Sequence, residues 1–291
     1  MKFGLSTCIL PRMPLQTALP RLVDLGITRI EYAIFNLIMS SSNGRLKGRY
    51  LQSRDAWGLR ERDIPTKEIR EISSSLGVDP VQIHSADFSL SDPDPHRRML
   101  ALERTETMLR ICSALGSHCL IVHVGPPQPT FPSGRETPKR MADSLRVLAR
   151  KASDLGCVIA VENGWQNPYG SRGKDLVEII EDSDPDHIGA CLDTGHSQRV
   201  GSSPASMVME LGNHLVATHI HDFDGQRDHI PPFSGNINWD RFLSALAEVG
   251  YRKALIGEID GSEHITKGVL DSKKAMEGLL ALLETRRPST L

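Results

Sequence analysis

Ionisable side chains stand at the ends of six consecutive strand-like segments of this sequence. The residues concerned are His84, His123, Glu162, Asp193, His219, His221 and Glu258. Burying such groups is costly unless they are paired or bound to a metal, so packing alone does not explain the series. The pattern predicts a functional site at the ends of the later strands.

Four of these residues are predicted to bind one divalent metal ion. Glu162, Asp193, His221 and Glu258 come from four successive strands, and their oxygen and nitrogen donors suit Mn²⁺, Mg²⁺, Co²⁺ or Zn²⁺. His219 lies two residues before His221 and shares its face of the strand. Because His221 is nearer the strand end, we expect it to be the ligand and His219 to be a hydrogen-bonded wall residue. The alternative is a set of ion pairs that holds no metal.

Further histidines are candidates for substrate contacts or for additional metal ions. His196 follows Asp193 across a short turn, so its imidazole can bind a substrate hydroxyl or a second metal. The alternative for His196 is a helix cap. His84 and His123 can bind substrate hydroxyls or hold additional metal ions, and as plain core residues they would need buried polar partners.

Short apolar runs alternate with segments of helical periodicity along the chain. The predicted strands are 2–7, 29–34, 81–84, 119–124, 158–162, 188–193, 216–221 and 254–259. The predicted helices are 14–25, 66–76, 96–115, 137–155, 174–182, 203–212, 239–249 and 271–285. Eight alternations in order, with strands apolar on both faces, predict a single-domain (β/α)8 TIM barrel over residues 1–291. An open doubly wound sheet is disfavoured because no Gly-x-Gly-x-x-Gly turn follows the first strand.

Several predicted helices end at a glycine that can adopt the left-handed conformation and turn the chain back towards a strand. These glycines are Gly26, Gly77, Gly116, Gly156 and Gly250. Residues 36–63 form one long irregular connection after the second strand, and we expect this loop to cover the mouth of the pocket. Its candidates for contact with a polar or anionic substrate are Arg45, Lys47, Arg49 and Trp57. The alternative is that the whole loop is a solvent-exposed segment with no role at the pocket. Residues 287–291 are expected to form a frayed tail.

Composition argues against several classes of protein. The formal net charge of -2 gives no sign of the strongly basic surface that nucleic acid usually requires. The 5 cysteines are scattered and form no Cys-x-x-Cys pair, which argues against a disulfide framework or a thiolate zinc site. No signal peptide or run of roughly 20 apolar residues is evident, so we expect a cytoplasmic protein that does not enter the membrane.

Several motifs resemble the xylose-isomerase-like TIM barrel superfamily, which includes sugar phosphate isomerases and epimerases, sugar 3-epimerases, inosose dehydratases and the AP endonucleases of family 2. The resemblance runs from KFGLSTC to GEID and is strongest in VENGWQN, CLDTGHS, HIHDFDGQRDHIPP and NINWDRFLSALAEVGY. The order of these motifs and their positions on strands identify the superfamily. They indicate a particular activity less strongly, because this fold supports many different activities.

The resemblance to ketose epimerases implies roles for matching residues. The four predicted ligands would hold one metal, and Glu162 and Glu258 would also exchange protons on opposite faces of the substrate. His196 would touch substrate oxygens, and Arg227 would grip the substrate. The metal would acidify the C–H beside a carbonyl and stabilise the enediolate that results. The loop 232–235 is Pro-Phe-Ser-Gly rather than the Pro-Gly-x-Gly of those enzymes.

The resemblance to the endonucleases gives a second hypothesis. His84 and His123 match histidines that bind zinc in a cluster of ions, and His229 resembles another zinc ligand of those enzymes. Arg227 stands where they have an aspartate, and Asp228 is displaced by one position. The charge of the chain also gives no sign of a DNA-binding surface.

Together these observations predict a metal-dependent isomerase or epimerase acting on a sugar, polyol or related hydroxy-carbonyl compound. The alternatives are a zinc-cluster endonuclease acting at apurinic or apyrimidinic sites, a lyase resembling inosose dehydratase, and a barrel that binds a metal and a small ligand without turnover. The expected partner is a small carbohydrate. The sequence leaves the oligomeric state open, a homo-oligomer included.

Overall fold

Eight parallel strands form a closed barrel in which each strand pairs with its sequence neighbours and the last pairs with the first. The computed structural model describes residues 1–41, 56, 58–124, 136–165, 169–261 and 264–284. The strands are β1 Phe3–Ser6, β2 Arg29–Ala33, β3 Asp79–His84, β4 Cys119–His123, β5 Val158–Glu162, β6 Ile188–Asp193, β7 Leu215–Ile220 and β8 Leu255–Gly257. The predicted (β/α)8 barrel is therefore confirmed.

Helices surround the barrel and follow the strands along the chain. They are α1 Leu15–Asp24, α2 Ile34–Ser40, α3 Thr66–Ser75, α4 Pro95–Ala114, α5 Glu136–Asp154, α6 Gly173–Glu181, α7 Thr194–Arg199, α8 Pro204–Leu211, α9 Trp239–Glu248 and α10 Ile265–Glu284. Short 3-10 turns lie at Thr7–Ile9, Glu61–Asp63 and Gly212–His214. None of the described helices combines the length and the apolar character that a membrane span requires.

The predicted elements are found close to their expected positions, with three differences. Helix α7 at Thr194–Arg199 follows β6 where a short turn was expected. Helix α10 begins at Ile265, six residues before the predicted start at 271. The segment 36–63 is not irregular from its beginning, because α2 follows β2 directly and buries Ile34, Leu37 and Ile38 at helical spacing. Asn36 anchors this helix by donating to the carbonyl oxygens of Leu10 and Met13. Residues 42–55 and 57, with their candidate substrate contacts, and the predicted tail lie outside the described residues.

The predicted turn glycines all adopt the left-handed conformation. Gly26, Gly77, Gly116, Gly156 and Gly250 have φ between 64° and 82°. Each of these residues follows a helix and precedes a strand, so the conformation reverses the chain direction at the N-terminal end of the barrel.

Apolar side chains pack in two places. The larger core fills the space between the strands and the surrounding helices. A smaller cluster of Ile121, Ala160, Cys191 and Ala217 lies inside the barrel, and the strand register places Ile121 beside Ala160 and Cys191 beside Ala217. The ionisable residues follow two positions later on the same strands and on the same face. They therefore form the next layer towards the C-terminal mouth.

Candidate functional site

The ionisable residues predicted from the strand ends lie together at the C-terminal mouth of the barrel. His84, His123, Glu162 and Asp193 are the last residues of β3 to β6. The mouth is where the following loops and strand ends of a TIM barrel converge. Glu162 and Asp193 are fully buried and Glu258, just after β8, is 7% exposed, so these carboxylates face the interior rather than solvent.

Three carboxylates meet in the inner part of the site. Glu162, Asp193, Glu258 and His219 each offer a donor atom, and these atoms all lie within 4.8 Å of one another. The Nδ1 of His219 is 3.0 Å from Glu162 Oε1 and 3.1 Å from Glu258 Oε2. Within this four-residue set the imidazole is that of His219, whereas the sequence assigned the ligand role to His221.

His221 belongs to an outer cluster that shares Asp193 with the inner one. Asp193, His196, His221 and His229 also have donor atoms within 4.8 Å of one another. The Nε2 of His221 lies 2.9 Å from Asp193, and the ring of His229 stacks on His221 with centroids 4.1 Å apart. His196 Nδ1 is 3.5 Å from Glu162 and 3.6 Å from Asp193, so His196 lies over the same site as the sequence predicted.

His84 and His123 form a third group with Glu162. Their Nε2 atoms are 3.1 Å apart, and they lie 3.5 Å and 3.2 Å from Glu162 Oε2. Zinc ligands at about 2.0–2.1 Å in tetrahedral geometry are roughly 3.3 Å from one another. The three atoms therefore have the spacing of three corners of a tetrahedral metal site.

Carboxylates stand behind three of the histidines. His84 Nδ1 is 3.0 Å from Glu258 Oε1, and His123 Nδ1 is 2.9 Å from Asp87 Oδ1. His221 Nδ1 is 3.3 Å from Asp228 Oδ1, which completes the third pair. A carboxylate on one ring nitrogen fixes the imidazole and leaves the other nitrogen for a metal. Asp87 was not singled out from the sequence, and Asp228 was named only as displaced by one position from an aspartate of the endonucleases.

Glu31 is a further member of the site that the sequence analysis missed. Its fully buried carboxylate lies within β2, where it contacts His219 Nε2 at 2.6 Å. The available signal was a lone carboxylate inside the apolar run Arg-Ile-Glu-Tyr-Ala. Glu31 lies in the middle of its strand, so the pattern of ionisable residues at strand ends does not include it.

Arg227 is placed away from the clustered residues. Its side chain is 71% exposed, and its Nε donates to Asp224 Oδ2 at 2.7 Å. Hydrogen bonds from the backbone N–H groups of Arg227 and Gln226 and from the Arg227 side chain hold the pKa of Asp224 at about 2. This turn therefore directs the guanidinium towards solvent, and its predicted grip on the substrate remains a prediction.

Opposite charges shift the pKa values within the site in opposite directions. Burial alone raises the pKa of Glu162, but His219 and His123 outweigh it and leave that pKa well below the usual value. Burial lowers the pKa of His221, but Asp193 outweighs it and raises the pKa to about 9. The carboxylate is therefore ionised and the imidazole protonated at neutral pH, so a metal ion would have to displace a proton from His221.

Gly195 allows the turn after β6 to pack directly on His221. A methyl group at Gly195 would overlap the imidazole ring of His221 and the carboxylate of Asp228. Helix α7 begins at this turn, where Asp193 Oδ1 accepts from the backbone N–H of His196 at 2.7 Å. One aspartate thus caps a helix and faces the site with its other oxygen.

The residues present fit a divalent metal ion. Glu162 Oε2 is buried and makes no hydrogen bond within the described part of the chain, although two imidazole nitrogens face it. An orphaned anionic oxygen is costly in a buried site, and a cation removes that cost. Oxygen and imidazole donors together suit Mn²⁺, Co²⁺ or Zn²⁺.

Several known proteins are similar to this chain over part of their length. It is 27% identical over 163 residues to the uncharacterized protein y4fM of Sinorhizobium fredii, covering 55% of this chain and 52% of that protein. It is 24% identical over 204 residues to the D-psicose 3-epimerase of Ruminiclostridium cellulolyticum, covering 67% of this chain and 68% of that protein. It is 25% identical over 156 residues to a probable endonuclease 4 of Persephonella marina, covering 52% of this chain and 54% of that protein. The chain thus spans between about half and two thirds of these relatives.

Solved structures match the whole barrel. A D-tagatose 3-epimerase-like protein superposes with a TM-score of 0.78 at 21% identity, covering 99% of this chain and 100% of the other. The IOLI protein with a bound zinc atom superposes with a TM-score of 0.76 at 19% identity, covering 98% of this chain and 99% of the other. At these identities the likeness shows the fold. The sequence model of the xylose isomerase-like TIM barrel family matches residues 43–284, and the chain therefore belongs to that family.

Proposed function

We propose that this protein is a divalent-metal-dependent isomerase or epimerase of a sugar, polyol or related hydroxy-carbonyl compound. The observation that carries the proposal is the convergence of Glu162, Asp193 and Glu258, from the C-terminal ends of β5, β6 and β8, beside the histidines of the mouth. The similarity to a D-psicose 3-epimerase supports a small sugar substrate. The zinc atom named in one structural neighbour supports a metal.

We assign the metal to Glu162, Asp193, Glu258 and His221. His221 Nε2 faces Asp193, while its Nδ1 faces the Asp228 carboxylate, an arrangement typical of a metal-binding imidazole. His219 has carboxylate oxygens at both ring nitrogens. His221 has the same feature, so these contacts do not choose between the two imidazoles. His219 is the alternative ligand, because its donor atom lies within 4.8 Å of those of Glu162, Asp193 and Glu258.

The side chains of the site account for a proton transfer next to a carbonyl group. A bound divalent ion would polarise that carbonyl and so acidify the adjacent C–H. Glu162, ionised and buried, accepts this proton, and Glu258 returns a proton to the opposite face. His84, 3.0 Å from Glu258, can supply the proton that Glu258 hands on. His196 binds a substrate hydroxyl.

Hydrogen exchange with solvent tests this function. Metal-loaded protein is incubated in D2O with ketoses and keto-inositols, and deuterium at the carbon beside the carbonyl is measured by NMR. We expect incorporation by the wild type, its loss in Glu162→Gln and Glu258→Gln, and wild-type incorporation in Glu103→Gln, an exposed control on α4. No incorporation from any substrate by metal-loaded wild type would refute the proposal.

A second candidate function is hydrolysis of a phosphodiester at a damaged site in DNA. The triangle of His84, His123 and Glu162 favours it, because it has the spacing of an additional metal site. Two or more ions close together stabilise both the attacking and the leaving oxygen of phosphoryl transfer. The similarity to a probable endonuclease 4 points in the same direction.

Two measurements separate the two candidate functions. They are the number of metal ions bound per chain and the cleavage of a DNA duplex that contains an abasic site. Elemental analysis of protein purified without chelator gives the ions per chain, and His123→Asn would lower that number if the triangle binds one. The endonuclease hypothesis expects cleavage of an abasic-site duplex that is lost in Glu258→Gln. A single ion per chain and an uncut duplex would leave the isomerase as the function.

A further inference from the structure

A cleft with basic walls lies at the N-terminal end of the barrel, opposite the mouth that carries the proposed metal site. Its outer part has a volume of about 540 Å³. An inner part of about 260 Å³ adjoins it, and the residues that line both parts are Val81, His118, Lys253 and Ala254. Binding sites for small molecules typically have volumes of roughly 300–1,000 Å³, so this basic cleft is large enough to hold one.

The outer part of the basic cleft is positively charged. Its basic side chains are those of Lys2, Arg29, Arg252 and Lys253, and among the described residues that line it the one carboxylate is that of Asp79. Arg29 Nε lies 3.6 Å from Asp79 Oδ2, so these two charges offset each other. Arg252 donates to the carbonyl oxygen of Tyr251 at 3.0 Å, which orients the guanidinium without neutralising it. Within the described part of the chain, Lys2, Arg252 and Lys253 form no ion pair, so three positive charges remain in a protein whose net charge is -2.

The inner part of the basic cleft is lined by residues near the starts of four strands. They include Cys119 of β4, Val158 of β5 and Val216 of β7. Burial raises the pKa of Cys119 to about 12, so its thiol is neutral at pH 7 and adds no negative charge. An uncharged organic group therefore suits the inner part, whereas an anionic group suits the outer part.

We propose that the basic cleft is a second ligand site, which binds a phosphate group either as free phosphate or as the monoester of a small molecule. Arginine binds phosphate through paired hydrogen bonds and lysine binds it as a point charge, and the outer part of the cleft offers both. A concave surface that carries charges of one sign also raises the local concentration of ions of the other sign. The concave shape favours a small anion over a flat polyanion such as duplex DNA.

The proposed phosphate site lies far from the proposed metal ligands. Cys119, which lines the basic cleft, and His123, which lies at the mouth, are the first and last residues of β4. The rise of a parallel strand is about 3.3 Å per residue, so roughly 13 Å of strand separates them. The proposal therefore stands whether or not the protein is an isomerase.

Isothermal titration calorimetry with inorganic phosphate and with phenyl phosphate tests the site. The protein is first freed of metal ions, and the chelator is then dialysed away, so that no metal at the mouth binds the anion. In the double variant Arg252→Gln/Lys253→Gln both side chains are exposed, so the fold should be kept. Because charged hydrogen bonds to the anion are lost, we expect the affinity to fall by roughly tenfold or more. Tighter binding of phenyl phosphate would indicate a monoester as the ligand, and tighter binding of inorganic phosphate would indicate the free ion.

Lys67→Gln/Arg97→Gln is the matched control. Both residues are exposed and lie in the first turns of α3 and α4, at the other end of the barrel. The control removes two positive charges from the chain, as the cleft variant does, so it should bind both compounds with wild-type affinity. An NMR signal gives the location: the Hε1 resonance of His118, assigned by its absence in His118→Gln, should shift when phosphate is added at constant pH, because His118 lines both parts of the basic cleft.

Several results would overturn the proposal. One is that the wild type binds neither phosphate compound, and another is that the two double variants lose affinity equally. Bound phosphate that leaves the His118 signal unchanged would place the anion elsewhere on the protein. If a DNA duplex binds at this face but neither phosphate compound does, the surface recognises a polyanion and the proposal fails.

Discussion

At the scale of single residues, the site depends on how closely the turn after β6 approaches His221. Gly195 has no side chain, and the ring of His221 occupies the space that a Cβ would fill. Asp228 lies against the same point and faces Nδ1 of the ring. The orientation of the proposed histidine ligand is therefore set by a glycine in the first turn of α7 and by an aspartate in the connection between β7 and α9.

Gly195→Ala should displace His221 and weaken metal binding. Because a methyl group would overlap the ring, we expect Mn²⁺ affinity to fall by roughly 10–100-fold, measured by isothermal titration calorimetry. Gly58→Ala is the control, since none of the described residues has an atom within 4 Å of the position of its added Cβ. Equal affinities in the two variants would contradict the assignment of His221 as a ligand.

The charge state of the imidazoles predicts how metal binding depends on pH. The pKa of His221 is raised to about 9, so a metal must displace its proton at neutral pH. Apparent affinity for Mn²⁺ should therefore increase from about pH 6 to about pH 9, by close to tenfold per pH unit if one proton is released. Titrations in buffers of different ionisation enthalpy count that proton. An affinity independent of pH would contradict the prediction.

At the scale of elements, one buried aspartate fixes the long connection between β7 and α9. Asp222 follows His221 and accepts from the backbone N–H groups of Phe223 and Ile237 through Oδ1. Its Oδ2 accepts from Trp239 Nε1 at 3.0 Å. The two ends of the connection are thereby joined, and the residues between them, including His229 with φ 51°, are held over the site.

Asp222→Ala should lower the free energy of unfolding by roughly 2–4 kcal/mol, because buried donors lose their charged acceptor. Urea denaturation measures the change. The control is Asp143→Ala, whose exposed side chain on α5 pairs with Arg146, and it should cost no more than about 0.5 kcal/mol. A similar small loss in both variants would mean that Asp222 does not hold the connection.

At the scale of the whole molecule, the barrel provides the framework and the metal adds stability to it. The core between strands and helices is apolar and contiguous, so the fold does not depend on the ionisable layer at the mouth. Repulsion among the carboxylates of that layer is relieved by protonated histidines and would be relieved further by a cation.

Removal of metal should lower the melting temperature and leave the barrel folded. A ligand present at about 100 times its Kd adds roughly 2.7 kcal/mol of stability, which corresponds to a rise on the order of 5–10 °C for a chain of this size. Differential scanning calorimetry of chelated and Mn²⁺-loaded protein measures the shift. Far-ultraviolet circular dichroism should be the same in both. Identical melting temperatures would contradict a metal bound at the mouth.

Local sequence patterns were sufficient to predict the order of the elements and most of the ionisable residues at the barrel mouth. Periodicity placed β5 and β6 at their observed bounds, and ionisable strand ends pointed to Glu162, Asp193 and Glu258 because parallel strands bring their ends to one face. These inferences need only the local pattern of each segment and the rule that the parallel strands of a barrel end at the same face.

The contacts between side chains across the barrel, in contrast, follow from the three-dimensional arrangement of the strands and loops. Glu31 and His219 are 188 positions apart in the chain, and no local pattern predicts that they meet at 2.6 Å. The same holds for Asp87 behind His123 and for the outward direction of Arg227. Such contacts depend on register, rotamer and loop path, which the closed barrel fixes together and which no single segment specifies.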